Sequence, residues 1–231
     1  MSSDAVRVAI SSALTILALQ SCSMKADAAR TKSARISGEV RDKAGRPLPG
    51  LALMEKGEIH NNVWHAGARV AENGHFEISL EQGGEYGLHV YSSGYIYSPQ
   101  SVMLEAGKTK EVTVVMVPEP TRSNDPVIGK VEFTPSPDSP KQIALQVTDP
   151  NGDLGPQVLA FNAATGRPFA MTPPAPVANL KANFPNGVYR LDVPARQPGA
   201  RNWFFVIADH RCNTTDILGP PHQPGKPAVV R

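Results

Sequence analysis

Four histidines lie within a short segment of the chain and could bind a metal ion. They are His60, His65, His75 and His89, four of the six histidines in the sequence. Imidazole nitrogens suit Zn, Cu or Ni. Their spacing is not the i, i+4 pattern of a helical metal site, and no carboxylate pattern accompanies them. We therefore predict solvated histidines at loop and strand-exterior positions, with no metal and no cofactor. A metal-dependent enzyme or metal carrier is the alternative.

A second set of residues offers oxygen atoms at the spacing of a calcium-binding loop. The set is Asp149, Asn151 and Asp153. The match to an EF-hand then ends, because Leu154 stands at the glycine position and Ala160 at the bidentate glutamate position. An Asx-Gly turn explains the same residues, and this is the interpretation that we favour. The alternative is a Ca²⁺ site completed by Asp209 or Asp216 from another loop.

Aromatic residues cluster around Gly94 and form a candidate surface for a ligand or partner. Three of them, Tyr91, Tyr95 and Tyr97, lie within seven residues, and Trp64 lies in a long loop. Exposed aromatic rings near one end of a β-structure suit sugar or peptide recognition. Packing of Tyr95 and Tyr97 under the edge of a sheet is the alternative.

Nucleophilic catalysis has one weak candidate, Cys212, which follows His210 by two residues. No third residue of a catalytic triad is evident, so we predict an inert thiol and no catalytic residue.

The N-terminus is typical of an exported protein. An apolar run at 8–19 is too short to span a bilayer but has the length of a signal-peptide core. The segment that ends it, Leu19-Gln20-Ser21-Cys22, resembles the bacterial lipobox, which implies lipidation at Cys22. Ordinary cleavage before Ala29 is one alternative, and a packed N-terminal helix is another. We expect a protein of the cell envelope or periplasm that touches a membrane only through this N-terminal lipid.

Composition and periodicity predict an all-β protein that does not bind nucleic acid. A net charge of +2 provides no basic footprint for phosphates. The 19 glycines and 22 prolines indicate many turns. Apolar residues recur at every second position, as in Phe76, Ile78 and Leu80, which predicts half-buried strands. The predicted organisation is a signal peptide and linker (1–34), a β-sandwich (35–117), a linker (118–126), a second β-sandwich (127–218) and a proline-rich tail (219–231).

The first predicted sandwich resembles the carboxypeptidase regulatory-like domain, which has a transthyretin-like fold. The resemblance rests on four motifs in order: Ile36-x-Gly38-x-Val40-x-Asp42-x-x-Gly45-x-Pro47-Leu48-x-Gly50, Glu72-Asn73-Gly74-His75-Phe76, Gly84-x-Tyr86-x-Leu88-x-Val90 and Gly94-Tyr95. The second sandwich is similar, more loosely, to bacterial immunoglobulin-like modules through Asp149-Pro150-Asn151-Gly152 and the segment that follows Ala208.

These resemblances imply a non-catalytic module. Intradiol dioxygenases share the transthyretin-like framework but bind iron through a His-x-His motif, whereas this chain has His89-Val90-Tyr91. Hydroxyisourate hydrolases of the same fold end in Tyr-Arg-Gly-Ser, whereas this chain ends in Pro-Ala-Val-Val-Arg. We therefore predict an exported binding or accessory protein that presents its loops to an envelope protein or glycan. A structural spacer is a further alternative.

Overall fold

The structure, a computed structural model, describes residues 33–97, 99–119, 126–179 and 182–209. The regular elements in these ranges are β-strands and one short 3₁₀ turn, which confirms the predicted all-β class. The elements are β1 (Ala34–Asp42), β2 (Gly50–Lys56), β3 (Trp64–Val70), β4 (His75–Leu80), β5 (Gly84–Tyr91), β6 (Tyr95–Ile96), β7 (Gln100–Leu104), β8 (Thr109–Pro118), β9 (Val127–Thr134), β10 (Gln142–Thr148), β11 (Leu154–Asn162), β12 (Arg167–Ala170), β13 (Gly187–Asp192), the 3₁₀ turn (Ala200–Asn202) and β14 (Trp203–Asp209).

Several sequence-based predictions concern residues outside these ranges. They are the signal peptide with its lipidated Cys22, most of the linker at 118–126, the His210 and Cys212 pair, and the proline-rich tail. None of the helical structure within the described ranges is long and apolar enough to cross a membrane.

Strands β1 to β8 form two four-stranded sheets. One has the order β4-β1-β8-β6 and the other β3-β2-β5-β7. Both sheets contribute side chains to one hydrophobic cluster, so they pack face to face. On β4 the side chains of Phe76, Ile78 and Leu80 are buried in this cluster, whereas Glu77 and Ser79 are exposed. Each large apolar side chain that is buried in this way contributes roughly 1.5–3 kcal/mol.

The turn after β1 is organised by Asp42, which is almost fully buried. Asp42 Oδ1 accepts the N–H groups of Ala44 at 2.8 Å and Arg46 at 2.9 Å, and Arg46 Nε donates to Oδ2 at 2.6 Å. The backbone hydrogen bond from Arg46 is the largest influence that holds the pKa of Asp42 below its ordinary value, and the Arg46 side chain acts in the same direction. Gly45 supplies the left-handed backbone of this turn, with φ at 80°. The motif from Asp42 to Gly45 is therefore a capped turn.

Strands β9 to β14 form two three-stranded sheets. Their orders are β13-β10-β9 and β12-β11-β14. A second hydrophobic cluster lies between these sheets and includes Leu145 from β10, Val158 from β11 and Trp203 from β14. Strands β10 and β13 alternate in the same way, because Ile143, Leu145 and Leu191 belong to this cluster while intervening side chains do not.

Strand β14 is buried on both faces because the two halves of the chain pack against each other. Trp203, Phe205 and Ile207 point into the second cluster. Phe204 and Val206 point the other way, into a third cluster. The third cluster contains residues of both halves, namely Leu51, Leu53, Tyr91, Tyr97, Leu159, Phe161, Phe204, Val206 and Ala208. A strand with two apolar faces is covered on both of them, and the first sandwich covers the second face of β14.

All described residues belong to one compact unit, Thr31–Arg231. The third cluster shows how the two halves are joined. The sheet β3-β2-β5-β7 of the first half contributes Leu51 and Leu53 from β2, and the sheet β12-β11-β14 of the second half contributes Leu159 and Phe161 from β11. The predicted domain boundaries remain predictions.

Candidate functional site

Five of the predicted site residues meet at the junction between the two halves, together with Glu55 and Gln157, which were not predicted. We call these seven residues the junction cluster. Its members are Glu55, His60, Trp64, His89, Tyr91, Tyr97 and Gln157. Period-two alternation on β5 explains its position. Leu88 and Val90 point into the core of the first sandwich, so His89 and Tyr91 point from the opposite face toward the second half.

A fully buried carboxylate and imidazole lie at the centre of the junction cluster. His89 Nε2 lies 2.9 Å from Glu55 Oε2, and both side chains have 0% exposure. Glu55 Oε2 also accepts the N–H of His60 at 2.6 Å, and Oε1 accepts the N–H of Asn62. Residues His60 and Asn62 both have positive φ, 70° and 59°, in the loop that brings their N–H groups to the carboxylate. The loop thus surrounds the carboxylate of Glu55 with hydrogen-bond donors, without which burial of its charge would be costly.

The hydrogen bonds around Glu55 outweigh the effect of its burial on its pKa. Burial is the largest single influence and raises the pKa of Glu55. The hydrogen bond from His89 and the backbone hydrogen bonds from His60 and Asn62 lower it, and the net direction is below the ordinary value of 4.5. Glu55 is therefore an ionised acceptor at neutral pH.

The hydrogen bonds continue from His89 into the second half of the chain. Gln157 Nε2, on β11, donates to His89 Nδ1 at 3.2 Å, and the hydroxyl of Tyr91 donates to Gln157 Oε1. With Nδ1 accepting, the proton that reaches Glu55 is on Nε2. One directional chain, Tyr91 to Gln157 to His89 to Glu55, therefore joins two strands of the first sandwich to one strand of the second.

Aromatic rings enclose His89. The rings of Tyr91 and Tyr97 stack with it at centroid distances of 6.4 Å and 6.3 Å, and Trp64 meets it edge-on at 5.0 Å. The Trp64 Nε1 donates to Asn62 Oδ1 at 3.2 Å. Neighbouring groups thus satisfy the polar atoms of this enclosure, and the buried Glu55 and His89 are closed to a substrate in this arrangement.

Three sequence-based placements need correction. His89 is buried at the junction, not solvated at a strand exterior. Tyr91 and Tyr97 have 0% and 1% exposure, so neither belongs to an exposed aromatic surface. The reason is the same for His89 and Tyr91, which both lie on β5. The outer face of the first sandwich at this sheet is covered by the second half of the chain, and alternation along one strand does not reveal such a cover.

The other predicted residues lie elsewhere. Tyr95 is partly buried on β6, which pairs with β8, and packs against the core of the first sandwich. His65 meets the ring of Tyr86 edge-on at 6.0 Å, and His75 is exposed on β4. Asp149, Asn151 and Asp153 lie in the loop between β10 and β11. Across the described ranges, no group of three His, Cys, Asp or Glu residues is placed to hold a metal ion.

Sequence reasoning missed Glu55 and Gln157. A signal for Glu55 was present, because it directly follows the apolar run Leu51–Met54, whose residues are buried on both faces of β2. A glutamate at such a position needs a buried partner. Gln157 carries no comparable signal, since a single glutamine within a strand is common on a protein surface.

A polar cleft of about 260 Å³ opens beside the junction. It lies between strands β3 and β4 of the first half and the turn from β11 to β12 of the second half. Its polar lining side chains are His65, Glu77, Ser79, Glu81, Thr165 and Arg167. Gly67 donates its N–H to the carbonyl of Gly166 at 2.7 Å, which holds the two walls together, and Arg167 Nη2 lies 3.9 Å from Glu81 Oε1. The cleft offers carboxylates, hydroxyls and a guanidinium to a polar ligand.

Comparison with known proteins confirms the resemblance of the first sandwich. Residues 35–117 match the sequence model of the carboxypeptidase regulatory-like domain, over a little more than a third of the chain. A search of curated proteins found no match.

Several solved structures are similar in parts of their fold. A DUF3823 family protein from Parabacteroides merdae has 17% identity and a TM-score of 0.30, with 78% of this chain and 81% of that chain covered. BcpA, the major pilin subunit of Bacillus cereus, has 9% identity and a TM-score of 0.34, with coverages of 79% and 66%. A streptococcal ancillary pilin has 13% identity and a TM-score of 0.32, with coverages of 85% and 57%. Similarities at this level carry no argument about function.

Proposed function

We propose that this chain is an exported, non-catalytic binding or accessory protein of the bacterial cell envelope. Its partner is a protein or glycan of the envelope, and its attachment is a lipid on Cys22. The observation that carries the proposal is the chain of hydrogen bonds from Tyr91 through Gln157 and His89 to Glu55. The buried carboxylate of Glu55 and the imidazole of His89 are used there to join two sandwiches.

The joined sandwiches support a role in presenting a surface. Burial of the junction cluster and the apolar third cluster restricts movement of one half against the other, so surfaces that span both halves keep their shape. The polar cleft is such a surface, since Glu81 comes from the first half and Arg167 from the second. Its carboxylates accept hydrogen bonds from hydroxyl or amide groups, and its guanidinium donates them.

A crosslinking experiment tests the proposed partner surface. A photoreactive amino acid replaces Thr165, which lines the cleft, in the full chain expressed in its own envelope. The control carries it at Met103, an exposed position on β7, at the opposite edge of the sheet from β3. We expect adducts with a protein or glycan from the Thr165 position alone. Equal labelling from both positions, or none from either, would overturn the assignment of this surface and favour a spacer.

A mass measurement tests the attachment separately. The mature protein, extracted from its envelope without a tag, should begin at Cys22 and carry acyl chains. The Cys22→Ser variant should lose the acyl mass and leave the membrane fraction. A mature chain that begins at Ala29 would contradict the lipid anchor and leave the surface assignment to the crosslinking result.

A further inference from the structure

The loop between β10 and β11 is held rigidly by two asparagines from the loop before β13. Asn186 Oδ1 accepts the N–H of Asp149 at 2.7 Å, and Asn186 Nδ2 donates to the carbonyl of Asp149 at 3.0 Å. Asn183 Nδ2 donates to the carbonyl of Gly152 at 2.6 Å. The backbone on both sides of the turn is therefore fixed before any ligand binds.

Two buried side-chain oxygens in this turn have no hydrogen-bond donor. Asp149 is 2% exposed, and its Oδ2 is buried without a partner, while its Oδ1 accepts the N–H of Asn151 at 3.2 Å. Asn151 Oδ1 is likewise buried without a partner, while its Nδ2 donates to Asp153 Oδ1 at 2.9 Å. Buried polar groups almost always have partners, and an unpaired buried carboxylate is among the most costly exceptions.

The chemistry of these two oxygens indicates which kind of ligand would satisfy them. Carboxylate and amide oxygens are the hard ligands that Ca²⁺ selects, and it accepts six to eight oxygens, including backbone carbonyls and water. The two unpaired oxygens belong to residues i and i+2 of one turn, and the carboxylate of Asp153 follows at i+4. Asp209 pairs with Leu154 across β11 and β14, but among the described residues it forms no group of three carboxylates with Asp149 and Asp153.

We propose that the turn Asp149–Asp153 binds one Ca²⁺ ion, with Asp149 Oδ2 and Asn151 Oδ1 as its first ligands. The predicted Asx turn and the calcium site are compatible, because Asp149 uses Oδ1 for the turn and leaves Oδ2 for the ion. The site does not form a group of three His, Cys, Asp or Glu residues, because one of its side chains is an amide. Ion binding is independent of the proposed function, since it lies in the loop between β10 and β11 and not in the polar cleft.

The test is calcium titration of the full chain after treatment with EGTA. We expect one bound Ca²⁺ per chain by isothermal titration calorimetry, and a melting temperature that rises with CaCl₂ more than with MgCl₂. Asp149→Asn keeps the shape of the side chain but removes its charge, so it should weaken Ca²⁺ binding at least tenfold. The matched control is Asp138→Asn, the same change at an exposed position, which should bind as the original chain does.

Three results would overturn the calcium site. They are a melting temperature that is the same in CaCl₂ and EGTA, binding heat that is absent in the original chain, and equal binding by the Asp149→Asn and original chains. Should Asp149→Asn fail to fold, Asn151→Ser removes the amide oxygen at a less buried position and must weaken binding as well. The first two results come from the unmodified protein and need no variant.

Discussion

Glu55 on β2 and His89 on β5 form a fully buried hydrogen bond of 2.9 Å between residues 34 positions apart. Glu55 accepts two further hydrogen bonds from the backbone of the loop that follows it. His89 in turn accepts one from Gln157 of the second sandwich. A single carboxylate therefore holds the shape of a loop and the position of the imidazole that contacts the other half of the chain.

Removal of this carboxylate should destabilise the protein strongly. Glu55→Ala leaves His89 Nε2 and the N–H groups of His60 and Asn62 without their acceptor in a buried place. Each donor that is left without an acceptor in a buried place costs about 1–3 kcal/mol. Urea unfolding followed by tryptophan fluorescence measures the change. The control is Glu77→Ala, which breaks only an exposed ion pair with Arg35 and should cost at most about 1 kcal/mol. Equal costs for the two variants would contradict this role of Glu55.

The stability of the protein should fall in acid. The pKa of Glu55 is lower in the folded chain than its ordinary value of 4.5. The contribution of Glu55 to the free energy of unfolding is therefore complete above pH 4.5. It is lost as the pH falls through the folded pKa, because the unfolded chain binds the proton more readily. The pKa of Asp42 is lowered too and acts in the same direction.

The share of Glu55 in this acid effect can be isolated. Unfolding free energies measured between pH 7 and pH 3 should decline less steeply for Glu55→Gln than for the original chain. The Glu77→Gln variant should follow the original curve, since its carboxylate is exposed. A Glu55→Gln curve parallel to the original would show that Glu55 does not contribute to the loss of stability in acid.

The hydroxyl of Tyr91 should stabilise the junction through Gln157. Tyr91→Phe removes the donor to Gln157 Oε1 in a buried place, which costs about 1–3 kcal/mol. A double-mutant cycle with Gln157→Leu should give a coupling energy of about 0.5–3 kcal/mol. Tyr95→Phe, at a partly buried tyrosine on β6, should be close to neutral. A coupling energy near zero would mean that the two side chains do not interact across the junction.

Two glycines of similar conformation should respond differently to alanine. Gly45 and Gly74 have φ of 80° and 81°, so each alanine variant carries the cost of a left-handed backbone, roughly 1–2 kcal/mol. An added Cβ at Gly45 meets no atom within 4 Å, whereas at Gly74 it would lie 2.5 Å from the carbonyl oxygen of Val40. Gly74→Ala should therefore be clearly less stable than Gly45→Ala in thermal unfolding. The reverse order would contradict the close approach at Gly74.

Much of the fold was predictable from residues that act locally. Phe76, Ile78 and Leu80 alternate with polar residues, and this pattern alone determines a strand with one buried face. The turn at Asp42 and Gly45 follows from side chains that bond to their own backbone a few residues away. Such interactions involve neighbours in the chain, so their signals are visible in the order of the residues.

Only the tertiary structure decided what covers the outer face of the first sandwich. His89 and Tyr91 alternate with core residues, as solvent-facing side chains of a strand do, yet both are fully buried. Their cover comes from β11 and β14, and Gln157 reaches His89 across 68 positions of sequence. Alternation along a strand determines which face a side chain occupies. The packing partner of that face depends on long-range burial and hydrogen bonding between segments, and no local pattern of residues encodes it.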